Sequence, residues 1–348
     1  MKVWILIFVC MFSMPLLVAV LHFRMRKGQI LKIKQDYVKN ARYFGRSFSA
    51  LVEKALPEMK NGMIMLSRQE KVLETDGKQE FVQPEIEDLV IARNTIFCPQ
   101  QEDLHFQKEI YSEKDALFVK ENIRLRAVYS KKRIVFGNKI RLLRWADAEH
   151  AVAVYDECDL GERVSSGEQL VIGFGNIFHS LYAPVIRLGQ RPEEPDRFME
   201  ERDPRIFRMP VTNSYEYNRH YIDDDMVTES GTVPYTIISR GDIKVIEDII
   251  LQGDIHSDGA VRIMENASVL GNIFAENDIL LEKNATVLGN IFTQGNIIFE
   301  EGASAGQPDK IISVVARGTI TFYGGNYVYG YVVSEGGGKI LKSDREIF

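Results

Sequence analysis

The sequence predicts an all-β protein built on a parallel β-solenoid with 18-residue coils, entered through an N-terminal membrane-spanning helix and an amphipathic helix. Three observations carry that expectation. Residues 235–306 read as four successive lines of 18 in one frame. Short runs of β-branched and aliphatic residues carry the β character back to residue 86. Residues 3–23 form a stretch of 21 without Asp, Glu, Lys or Arg.

The charge-free stretch comes first. At ~1.5 Å per residue it spans roughly 30 Å, the thickness of a bilayer's hydrocarbon. It offers no Ala-x-Ala cleavage pattern, and Cys10 follows Phe8-Val9 rather than the small residue of a lipoprotein signal. Residues 1–26 are therefore expected to be an uncleaved anchor. Only Lys2 precedes the stretch, whereas Arg24, Arg26, Lys27, Lys32 and Lys34 follow it, so the bulk of the chain is expected in the cytoplasm.

Residues 27–57 are expected to hold an amphipathic helix. Ile30, Ile33, Tyr37, Ala41, Phe44, Phe48, Leu51 and Ala55 recur at three-four spacing, and Pro57 ends the pattern. A face with two phenylalanines and a tyrosine must pack on something, and the chain's own body is the preferred support. Residues 58–85 carry few signals and read as a connector. Residues 86–190 read as a degenerate solenoid, on runs such as Leu89-Val90-Ile91, Ile134-Val135-Phe136, Val152-Ala153-Val154 and Leu170-Val171-Ile172. Residues 191–232, opening on Arg191-Pro192-Glu193-Glu194-Pro195 and closing near Asp223-Asp224-Asp225, read as a charged excursion.

The repeat proper is assigned to residues 233–335, with 336–348 as a tail. Each line of 18 divides into three sixes. Ile237, Ile255, Ile273 and Ile291 share one inward position, and Ile243, Val261, Ile279 and Ile297 another. Each is followed two places later by a residue on the same side of its strand. Three short strands per turn make a triangular tube. Gly241, Gly259, Asn277 and Gly295 open the second six, and Gly253, Gly271 and Gly289 open the first, where a tight bend favours residues that tolerate left-handed backbone. The frame slips by about five residues at Gln307-Pro308-Asp309-Lys310. The last coil is aromatic, with Phe322, Tyr323, Tyr327, Tyr329 and Tyr331, and no polar helix follows it. A solenoid end presents unpaired backbone and a hydrophobic cross-section, so this end must either be folded over or meet another end. Phe322, Tyr323, Tyr327 and Tyr329 are the candidate self-association residues.

Residues 237–333 resemble the bactofilins, bacterial polymer-forming cytoskeletal proteins. Gly253-Asp254-Ile255, Gly271-Asn272-Ile273-Phe274-Ala275 and Gly289-Asn290-Ile291-Phe292 carry the likeness, with closes such as Ala267-Ser268-Val269. The resemblance implies a right-handed β-helix that polymerises end to end without nucleotide on the inner face of the cytoplasmic membrane. It also implies scaffolding of cell-shape and cell-wall proteins, with Phe322 at the position of that family's terminal aromatic residue. The chain departs from the family pattern in carrying about 200 further residues before the repeat.

The net charge of −6 gives no basic footprint for nucleic acid, and Cys10, Cys98 and Cys158 lie too far apart for a CxxC metal or redox motif. No cofactor or metal is expected. The rival function is a membrane-bound β-helix enzyme acting on glycans or acyl groups. His256 would have to serve as an acyltransferase base, but it falls at an outward coil position. His150, His179 and His220 have no nucleophile at a recognisable spacing. Gly173-Phe174-Gly175-Asn176 lacks the Gly-Lys-Ser/Thr end of a phosphate loop. Asn266-Ala267-Ser268 and Asn284-Ala285-Thr286 match the glycosylation sequon, but a corner followed by an inward alanine accounts for both. The expectation is a scaffold and not an enzyme.

Overall fold

A computed structural model describes residues 14, 40–75, 81, 83–97, 103–192 and 232–342. The chain divides into two units, Met1–Tyr43 and Phe44–Phe348, and the β-structure lies in the second. Among the described residues no helix is long and apolar enough to cross a membrane. The expected span at 3–23 lies outside them except for Met14, as does the charged excursion over 193–231.

The β-structure is a parallel solenoid of about 12 turns with a spacing near 18 residues. It forms two blocks. In the first, strands Gln69–Thr75, Leu89–Ala92, His105–Ser112, Arg124–Ser130, Arg141–Ala148 and Arg163–Ser166 stack in parallel. A second stack runs through Ile96–Phe97, Ala116–Phe118, Ile134–Phe136, Ala151–Val154 and Gln169–Ile172. The solenoid thus begins inside the stretch read as a connector, whose Met63–Met65 and Gln69–Thr75 strands form a hairpin.

In the second block the 18-residue frame is kept. Ile237 pairs with Ile255, Ile255 with Ile273 and Ile273 with Ile291, while Ile243, Val261, Ile279 and Ile297 form the parallel ladder beside them. All eight are buried. The slip at 307–310 appears as one 23-residue step, from Ile291 to Val314 and from Ile297 to Ile320. Counting from Ile237, the block stacks six coils, whose first strands centre on residues 238, 256, 274, 292, 315 and 333.

The corners obey two different rules. Left-handed backbone occurs at the third corner, at Asp248, Asn266, Asn284 and Gly302. It does not occur at Gly241, Gly253, Gly259, Gly271, Asn277, Gly289 or Gly295. At Gly253, Gly271 and Gly289 a β-carbon would instead overlap the backbone of the coil below, at Tyr235, Gly253 and Gly271 in turn. Coils stack about 4.8 Å apart, and these corners lie flat against one another. The glycines therefore answer to spacing between coils rather than to φ. Gly241, at the corner of the first coil, meets nothing within 4 Å.

The helix α1, Tyr43–Ala55, covers the outside of the first block. Its buried side is Gly45, Ser49, Val52 and Ala55, whereas Phe44 and Leu51 are exposed. The contact face is thus turned from the apolar stripe the spacing suggests, because close approach selects small residues: a side chain at Gly45 would overlap Asp147. The half of the expected helix before residue 40 lies outside the described residues.

Candidate functional site

A solenoid presents its two ends and its outer faces to other molecules. The last coil of the second block is not an open end. Strand Asn326–Ile340 pairs in parallel with Ile312–Ala316 and Ile320–Phe322 on one side. On its other side it pairs antiparallel with Ile177–Leu188, the last strand of the first block, from Leu188↔Asn326 through Tyr182↔Tyr331 to Ile177↔Lys339. The two blocks therefore meet at their C-terminal ends.

This junction places the candidate self-association residues. Phe322 is fully buried, its ring 4.7 Å from Phe299 and 6.3 Å from Phe178 of the first block. Tyr329 is buried, Tyr323 and Tyr327 half-buried, and the Tyr327 hydroxyl accepts from Gln190 Nε2 at 3.1 Å. Tyr331 packs on Tyr182 at 4.5 Å. The aromatic end expected to meet another molecule is occupied by the chain's own first block. The glycines after it are junction, not tail: Gly338 lies where any side chain would enter the Phe178 ring.

The first coil of the second block contrasts with this. Thr232–Val233, Ile237–Ser239 and Ile243–Val245 pair only with the coil above, and among the described residues no strand lies on their other edge. Ile243 donates to the Ala260 carbonyl and Val245 accepts from Met264, so the peptide groups of Lys244 between them face the open edge.

Two outer faces differ in cover. On the first block, Leu89, Ile91, Tyr111, Ala127, Tyr129 and Trp145 lie beneath α1 with Val52 and Ala55. Polar groups lock the contact. Lys131 Nζ lies 2.8 Å from Glu53 Oε1 of the helix, and the Tyr111 hydroxyl donates to the same oxygen at 3.2 Å. The Lys131 ammonium holds the Glu53 carboxyl below its ordinary range, while burial pushes the Tyr111 and Tyr129 phenols up.

On the second block the outward positions of the first strands are Ile238, His256, Phe274, Phe292, Val315 and Val333. The His256 and Phe274 rings stack at 4.8 Å and 13°, and Phe274 and Phe292 at 5.4 Å and 9°. They line a groove of about 550 Å³ bordered by Asp258, Glu276 and Arg317. Ile238 is 44% exposed and Phe274 37%. This stripe escaped the reading of the repeat, although its signal was there: the fourth place of each 18-residue line is apolar or aromatic, where an outward position should be polar.

Of the remaining candidates His179 is exposed, and several others have structural partners. His256 belongs to the stack, and His150 Nδ1 lies 2.7 Å from Glu168 on the surface. Asn176 Oδ1 accepts from the Cys158 amide at 2.8 Å while its Nδ2 donates to the Tyr155 carbonyl, which makes the Gly173–Asn176 turn a corner clamp. Burial pushes the Cys158 thiol up to about 12, and it donates to the Gly137 carbonyl at 3.0 Å. Asn266 and Asn284 are left-handed corners, followed by the inward alanines 267 and 285. Asp223-Asp224-Asp225 and His220 lie outside the described residues. No group of three or more potential metal ligands occurs among the described residues. Comparison with family models, with curated proteins and with solved structures found no match in any of the three.

Proposed function

We propose that the chain is a self-associating scaffold of the bactofilin type, right-handed in its winding. In this reading it is tethered to the inner membrane by residues 3–23, with its bulk in the cytoplasm, and arranges cell-envelope proteins along a rigid body. The observation that carries the reading is the edge of the second block's first coil, on which no described strand pairs, set against the closed junction at its last. A parallel solenoid edge offers a row of backbone donors and acceptors to another strand. Because Phe322 is consumed inside the chain, end-to-end contact runs through residues 232–251. The 21-residue charge-free stretch supports the tether, and the motifs at 253–255, 271–275 and 289–292 support the kinship.

Electron microscopy of the full chain in mild detergent tests the end contact through Lys244→Pro. That proline removes an edge-facing N–H and leaves the ladder bonds of Ile243 and Val245 in place. Elongated assemblies for the parent chain and single particles for the variant are expected. Single particles for both would overturn the end contact.

A further inference from the structure

We propose that the outer aromatic stripe of the second block, which no described element covers, is a homotypic interface, on which two copies pack face to face with their solenoid axes antiparallel. This lateral contact is separate from the end contact above and stands on different residues.

The stripe has two properties that select its occupant. First, its rings lie face to face along the solenoid axis, closed above and below by Ile238 and Val315. Only ring edges reach solvent, so a sugar, which would lie on an exposed ring face, finds no platform, while an apolar surface of matching ridge does. Six coils at about 4.8 Å give a ridge roughly 24 Å long, which suits a small, concentration-dependent protein contact.

Second, the charges beside the ridge are self-complementary in one orientation. On the corner after the first strand, the six coils carry Arg240, Asp258, Glu276, Gln294, Arg317 and Glu335 in order. A two-fold axis along the strand direction, passing between the Phe274 and Phe292 coils, keeps this corner on its own side and reverses the order of coils. Arg240 then faces Glu335 of the second copy, Asp258 faces Arg317, and Glu276 faces Gln294. Asp258, Glu276 and Arg240 have no ion pair among the described residues, and Arg317 is held only by Gln294 and a 3.8 Å approach to Glu335 on the surface.

The opposite corner carries Thr236, Asp254, Asn272, Asn290, Ser313 and Tyr331, and the same operation sets Asp254 against Ser313 and Asn272 against Asn290 without like charges. Parallel packing about the solenoid axis would instead press Asp258 against Asp254, a like-charge contact that disfavours it. On the ridge, Phe274 meets Phe292, His256 meets Val315 and Ile238 meets Val333. Among the described residues the helix α1 stops short of the stripe: its nearest contact, Phe44 beneath the Arg163 guanidinium, lies two coils beyond Val333, about 10 Å along the axis.

The test uses the full chain with Lys244→Pro, so that end contacts do not enter. Sedimentation at increasing concentration should show a dimer, and Phe274→Lys should weaken it at least about tenfold. Asp258→Arg and Arg317→Asp should each weaken self-association by about tenfold, because each homodimer then repeats a like-charge contact twice. Mixed in equal amounts under different tags, these two chains should pair with each other at the parent strength, since every contact in the mixed dimer is attractive. Unchanged circular dichroism for these surface variants separates lost contact from lost fold. A parent chain that stays monomeric at about 100 μM, a dimer indifferent to Phe274→Lys, or a mixture that fails to pair would each overturn the proposal.

Discussion

The two solenoid blocks use one interior plan and two exterior ones. Inside, several coils of each block end the same strand with a small hydroxyl residue that satisfies the corner. Ser130 Oγ bonds the Lys114 and Arg133 carbonyls, and Ser166 those of His150 and Gln169. Ser257 and Ser334 do the same for the Gly241 and Gly318 carbonyls. Outside, the first block is apolar enough to hold a helix, and the second carries a stripe that no described element covers. The difference teaches why one repeat is plain in the sequence and the other is not. Under a helix, outward positions are buried too, so Leu89, Val90, Ile91 and Ala92 are all nearly inaccessible and alternation disappears. In the second block the strands keep the buried-exposed-buried pattern, as at Ile255–Ser257 and Val261–Ile263.

The largest break in this comparison is at the junction the blocks share. Phe322→Ala removes a fully buried ring held between Phe299 and Phe178 and should cost about 3–5 kcal/mol, read as a lower urea midpoint. Phe292→Ala, on the outer stripe, should cost less than about 1 kcal/mol in the same measurement, since a half-exposed ring leaves no cavity.

A smaller break concerns the helix alone. Gly45→Leu places a side chain in the space of Asp147 and should cost about 1–3 kcal/mol. Lifting α1 uncovers Trp145, so its fluorescence should shift to the red. Hydrogen exchange over residues 255–287 should stay as in the parent, which would show that the second block stands without the helix.

The smallest effect is electrostatic. The folded-state pKa of Glu53 lies below its ordinary value because of Lys131, so the pair contributes above the unfolded carboxyl's pKa of about 4.3 and is lost as pH falls through the depressed folded value. Glu53→Gln should lower stability at pH 7 by less than about 1 kcal/mol, since the Glu53 side chain is 47% exposed and salt screens the pair. Below the depressed folded value parent and variant should melt together; a difference that persists as the carboxyl is fully protonated would assign the effect to packing.

What the sequence determined by itself is the coil. Inward pairs at spacing two, corners every six residues and a frame of 18 are local constraints that every turn repeats, and repetition makes a pattern visible from one chain. The placement of Ile255, Ile273, Val261 and Ile279 in the core follows from it, as does the change of register near Pro308. Tertiary structure decided what each surface meets. The same glycine signal marks a left-handed bend at Gly302 and mere proximity to the coil below at Gly271. Whether Phe322 faces solvent or another strand depends on Phe178, 144 positions away and outside any repeat. The face of α1 that docks was set by the space beside Asp147 rather than by the helix's own apolar count. Distant contacts of this kind occur once, so no periodicity announces them, and only the closed fold brings their two halves together.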